Sequence, residues 1–119
     1  MTWDEANRMI QLNIKSGTKL DNRTVLDGPD YNCIGYNYNA EPGYKIQIGA
    51  KTSIEIPFSM LKDLFIKSTR NYGIYENKTF KDNFERQLKN HPCHVHVVGR
   101  IFEKAGIAIQ ISKRQYKLL

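Results

Sequence analysis

The chain has little of what would place it in a specialised class. Its 119 residues include two cysteines, four prolines and one tryptophan. No apolar run approaches the roughly 18 residues of a membrane span, which excludes a membrane partner at the level of sequence. Two cysteines cannot build a disulfide framework, so Cys33 and Cys93 read as free thiols in a reducing compartment. The opening Met1-Thr2-Trp3-Asp4-Glu5 has neither the basic nor the apolar segment of a secretion leader. No complete catalytic signature is present, and no cofactor is implied. These absences lead to the expectation of a soluble, cytoplasmic protein that is not an enzyme.

Hydrophobic residues make up 40% of the chain and charged ones 25%, a balance that supports a packed core and excludes low-complexity or largely disordered classes. One domain spanning residues 1–119 is expected. The net charge is +6 and the calculated pI about 9.4. That charge is unevenly placed: residues 1–60 carry six basic and seven acidic side chains, residues 61–119 twelve basic and five acidic. A basic C-terminal half favours an anionic partner, with nucleic acid the commonest one in the cytosol.

Local patterning divides the chain further. Thr2 and Glu5 form a capping box, and Trp3, Ala6, Met9, Ile10 and Ile14 recur at helical spacing, predicting a helix over 3–15 with Gly17 beyond its end. Residues 18–30 read as a loop with a short strand near Arg23 to Leu26, closing in the turn Asp27-Gly28-Pro29-Asp30. Alternating apolar positions at Tyr31 to Tyr38, Tyr44 to Ile48 and Ile54 to Ile56 predict a three-stranded antiparallel meander. Pro57 then suits the first turn of a helix over 57–69. Asn77 caps a third helix running to about Lys89, whose Phe80, Phe84 and Leu88 face the core, and His91-Pro92 ends it. Cys93 to Phe102 reads as a strand, Glu103-Lys104-Ala105-Gly106 as a turn, and Ile107 to Ile111 as the returning strand of a hairpin. The expected fold is α+β: a mainly antiparallel sheet of about five strands, made of the meander and the C-terminal hairpin, packed by three helices.

Two residue clusters invite chemistry. On a strand, His94 and His96 would point to one face and could offer a metal two imidazoles, still short of the three or four ligands of a zinc site, while Cys93 points to the other face. A hydrolytic enzyme built around this pair is therefore one reading. Tyr31, Tyr36, Tyr38 and Tyr44 lie on the meander, where their rings could stack on a flat ligand or cover a subunit contact.

The order helix, turn, helix, hairpin over residues 57–111 resembles a winged helix-turn-helix module. The resemblance implies a recognition helix over 78–89 with Lys78, Lys81 and Arg86 near base edges and Lys89 beside them, and a wing over Cys93 to Ile111. It further implies that Arg100, Lys104, Lys113 and Arg114 hold backbone phosphates. Asp82 and Glu85 within the helix depart from that pattern, as does the long turn between Arg70 and Asn77. His91 to Phe102 is also similar to a segment of small uncharacterised proteins carried on bacterial mobile gene cassettes, a similarity that implies no activity. The leading expectation is a non-enzymatic nucleic-acid-binding module. The alternative is a homodimeric protein-interaction or small-ligand module using the tyrosine-bearing strands.

Overall fold

Thr2 starts the first helix through a reciprocal cap: its hydroxyl accepts the Glu5 amide at 3.2 Å while the Glu5 carboxylate accepts the Thr2 amide at 3.2 Å. In the computed structural model, which describes residues 1–21, 30–38 and 40–119, this helix, α1, runs Trp3–Asn13. The strand expected at Arg23 to Leu26 and the turn at Asp27-Gly28-Pro29 lie outside the described residues. Next come β1 (Lys19–Leu20), β2 (Tyr31–Asn37), β3 (Gly43–Gln47) and β4 (Ser53–Pro57), joined antiparallel in the order β1-β2-β3-β4. The three expected meander strands are all present. Tyr31, Cys33, Tyr44, Ile46, Ile54 and Ile56 turn inward, whereas Lys45, Gln47, Ser53 and Glu55 face out, giving the two-sided alternation of a half-buried sheet. Tyr44 also reaches α1, its hydroxyl donating to the Ile14 carbonyl at 2.8 Å.

The C-terminal half is built differently from the sequence expectation. Helix α2 (Phe58–Thr69) follows Pro57 as foreseen, but a short strand β5 (Ile74–Glu76) then precedes the helices. The expected third helix is two: α3 (Asn77–Asn83) and α4 (Glu85–Asn90), parted where Phe84 takes φ −140° and ψ 50°. Phe80 is fully buried, while Phe84 and Leu88 pack against the core margin.

The main correction falls on residues 93–102. They form not a strand but most of helix α5 (His94–Lys104). His94-Val95-His96-Val97 alternates like a strand and is rich in β-branched residues, yet Val98, Ile101, Phe102 and Ala105 continue at helical spacing. Eight of the eleven residues of α5 are buried. The strand-like opening masks a stripe that is one-sided, with Arg100, Glu103 and Lys104 on the opposite side of the helix. The hairpin therefore lies later, as β6 (Ala108–Ser112) and β7 (Gln115–Leu118), and with β5 it forms a second antiparallel sheet in the order β5-β7-β6. Among the described residues, seven strands in two sheets and five helices thus replace five strands and three helices, within the expected α+β class.

Helix α5 touches α1, α4, β1, β6 and β7, so it sits between the two sheets as a shared centre. Aromatic rings continue this core from one side to the other: Trp3 lies 5.7 Å from Phe65, Phe65 6.5 Å from Phe102, Phe102 5.6 Å from Tyr75, and Tyr75 6.0 Å from Tyr116. The buried Tyr75 hydroxyl donates to the Val95 carbonyl at 2.8 Å, tying β5 to α5. Among the described residues no helix is long and apolar enough to cross a membrane.

Close approach at Gly99 is what lets β7 lie on α5, because a Cβ there would run into the Tyr116 ring. Gly99→Ala should destabilise the fold by about 1–3 kcal/mol through overpacking. Gly99→Ala with Tyr116→Leu should recover part of that loss in urea denaturation, since the smaller side chain vacates the space.

Candidate nucleic-acid interface

Seven of the eight cations singled out from the sequence lie on the surface. Lys78 and Lys81 stand on α3, Arg86 and Lys89 on α4, Lys104 in the last turn of α5, and Lys113 and Arg114 in the turn joining β6 to β7. Lys89 approaches Glu85 at 3.9 Å one turn away, an exposed pair that holds neither side chain firmly.

Arg100 is the exception. At 4% exposure it cannot meet a phosphate, and its guanidinium is committed inside. Nε donates to the Asp21 carbonyl at 2.8 Å, and Nη1 donates to Glu103 Oε2 at 2.9 Å and to Gln110 Oε1 at 3.3 Å. The same Glu103 oxygen accepts the Gln110 amide at 3.0 Å. One arginine thereby links the end of β1, helix α5 and the outer strand β6. Placing residue 100 on a strand had turned its side chain to the surface; on a buried helix it must be paired.

Arg114 has a different surrounding. Across a cleft of about 250 Å³ it faces His96 of α5, with Asn77 at the start of α3 and Leu88, Pro92 and Val95 completing the walls. These residues come from four separate stretches of chain, brought together because the β6–β7 turn folds back over the junction of α4 and α5. His96 Nδ1 is buried there without a hydrogen-bond partner among the described residues. Burial lowers the His96 pKa below its ordinary value, and the neighbouring Arg114 charge lowers it further. The cleft thus combines a fixed cation, an imidazole lacking a partner and a carboxamide, a donor-rich set suited to an anion.

His94 and His96 do not converge. Two positions on an α-helix are turned about 200° apart, so the helical geometry that replaces the expected strand sends them to different neighbours. His94 packs 5.7 Å from the Phe80 ring, its Nδ1 lies 3.1 Å from the His91 carbonyl, and burial lowers its pKa. Among the described residues no three His, Cys, Asp or Glu side chains are grouped to hold a metal ion. Burial pushes both the Cys33 and Cys93 thiols up, away from the thiolate form that a nucleophile needs.

The tyrosines likewise separate. Tyr31 and Tyr44 are core residues, Tyr36 packs on Tyr44 at 5.4 Å, and Tyr38 stands out at 82% exposure. Lys45, Gln47, Ser53 and Glu55 make much of the outer face of the first sheet polar, with Ile34 of β2 exposed beside them. Two features escaped sequence reasoning altogether: the pairing of Arg114 with His96, which no spacing in the chain signals, and Tyr72, 90% exposed in a left-handed backbone conformation with φ 55°.

Because both lowered imidazoles bind protons less readily in the folded than in the unfolded chain, stability is complete above about pH 6.5, the ordinary histidine value. It should fall as pH drops below that value. Urea midpoints between pH 7 and pH 5 should show this decline, and His94→Gln with His96→Gln should flatten it. No protein-family model matches the chain, and comparison with curated proteins and with solved structures yields no match to either.

Proposed function

We propose that this protein is a non-enzymatic nucleic-acid-binding module whose C-terminal half provides the contact surface. The observation that carries the reading is the cleft lined by Arg114, His96 and Asn77, in which the imidazole has a buried nitrogen without a partner among the described residues. A backbone phosphate satisfies the needs of all three groups. It pairs with the guanidinium, accepts from the carboxamide and accepts from the His96 Nδ1 once that nitrogen carries a proton. Lys78 adjoins Asn77 and Lys113 adjoins Arg114 in sequence, which extends positive charge to either side of the cleft.

The order α2, β5, α3 and α4, α5, β6 and β7 departs from the winged arrangement, because residues 78–89 form two short helices and a buried helix stands where the first strand of the wing was expected. The hairpin over 108–118 takes the place of the wing, with Lys113 and Arg114 at its tip. The helix ahead of it, α5, has little free side to offer, so Lys78, Lys81 and Arg86 of α3 and α4 remain the cations able to flank a bound backbone.

Fluorescence anisotropy with labelled oligonucleotides at several salt concentrations tests this reading. With about four phosphates neutralised, log affinity should fall against log salt with a slope of about −3 to −4. Arg114→Gln should reduce the steepness by about one phosphate's share, and affinity should rise as pH falls below the ordinary histidine value and His96 gains a proton. A salt-independent signal, or an Arg114→Gln protein that binds like the unaltered one, would rule the reading out.

A further inference from the structure

Among the described residues, no element covers the outer face of the second sheet. Alternation along its strands turns Ile74 and Glu76 of β5, Gln115 and Lys117 of β7, and Ile109 of β6 away from the core, and Ile111 is exposed at a bulge in β6. The register sets Ile74, Lys117 and Ile109 in one row across the three strands. Leu119 continues the outward alternation beyond β7, held by its amide to the Ile107 carbonyl at 3.0 Å. Tyr72 borders the same end: the Gly73 carbonyl accepts the Leu118 amide at 2.8 Å, and the Lys117 ammonium donates to the Tyr72 carbonyl. Of the eight large hydrophobic side chains exposed among the described residues, four belong here: Tyr72, Ile109, Ile111 and Leu119.

Charge on and around this face is mainly positive. Lys117 stands in its middle, Lys113 and Arg114 at the hairpin tip, and Arg70 just before the Tyr72 turn, whereas the one carboxylate on its strands, Glu76, is held by Gln115 at 3.0 Å. Apolar area ringed by cations suits a ligand that offers flat unpaired rings and negative charge together. A duplex hides its base faces in the stack; a single strand exposes them. Duplex reading through the major groove would in turn need a helix with a free side, and α5 is largely buried while α3 and α4 span only seven and six residues. A second copy of the chain is the poorer occupant, because twofold pairing of this face would bring Lys117 against Lys117 on proteins of net charge +6.

We infer that the outer face of β5-β7-β6 binds single-stranded nucleic acid, with unpaired bases lying on Tyr72, Ile109 and Ile111 and phosphates following Lys117 and Lys113. The inference rests on the nucleic-acid reading above and specifies the form of ligand. It also gives a use to the Tyr72 backbone, since a left-handed conformation that a tyrosine seldom adopts holds the ring clear of the protein.

The deciding measurement is anisotropy with a labelled 12-nucleotide pyrimidine strand, competed by the same strand unlabelled and by its duplex. The single strand should bind at least tenfold more tightly than the duplex. Tyr72→Ala and Ile109→Ser should each weaken it about 5- to 100-fold while leaving the salt slope unchanged. Tyr72→Gly separates binding from folding, because glycine accepts the left-handed backbone: its thermal midpoint should hold or rise while affinity falls. Duplex binding as tight as the single strand, or unaltered affinity in the Tyr72 and Ile109 variants, overturns the single-strand inference and leaves the Arg114 reading standing. Failure of both forms to bind removes both. A concentration-dependent dimer abolished by Ile109→Asp would assign the face to a second copy and overturn the inference as well.

Discussion

The rest of the molecule depends on the enclosure of one helix. Helix α5 lies where two sheets and the N-terminal helix meet, and Gly99 allows the Tyr116 ring to approach its backbone. Burying its apolar residues on several sides stabilises the fold through area removed from water, at roughly 25 cal/mol per Å². The same burial carries obligations. Arg100 sits within this core, so its charge must be matched by Glu103 and its remaining donors by Asp21 and Gln110. Removing one partner of such a group leaves the other desolvated, which is why this network acts as an internal brace and not as a contact surface.

Enclosing α5 also determines where function can reside. A helix with eight of its eleven residues buried has little side left to enter a groove, so the surface of the C-terminal half is made mainly by the short α3 and α4, by the hairpin tip and by the outward face of the second sheet. Arg114 connects these regions. It belongs to the tip of the hairpin, yet it faces His96 of the buried helix across a cleft whose opposite wall begins α3. Occupancy of that cleft would therefore be felt at once by the tip, the central helix and the basic helices.

Much of the first half was legible from sequence because its signals are local. The Thr2 and Glu5 cap, the alternation at Tyr44 to Ile48 and Ile54 to Ile56, and Pro57 before α2 each appear where the residues placed them. The second half hid its design for physical reasons. Helix α5 opens with His94-Val95-His96-Val97, whose alternation among β-branched residues resembles a strand and masks the one-sided helical stripe of Val97, Val98, Ile101, Phe102 and Ala105. Strands β1 and β5 contain two and three residues, too few for a period to show, and β7 lies in a tail dominated by charge. The candidate site was legible only in part: the basic half and the cations of the hairpin tip followed from counting, whereas the partnership of Arg114 with His96 and the exposure of Tyr72 exist only after residues far apart in the chain are folded together.

Strand β6 forms an outer margin of the second sheet, where an open backbone would invite another chain to add itself. Glu103 stands at that margin and takes up the Gln110 amide. One carboxylate thus serves two ends, neutralising the interior arginine and stoppering a backbone donor that a neighbouring molecule would otherwise claim. Loss of the Glu103 carboxylate would consequently reach beyond the arginine: it would leave the Gln110 amide open on the sheet's margin for another chain to pair with.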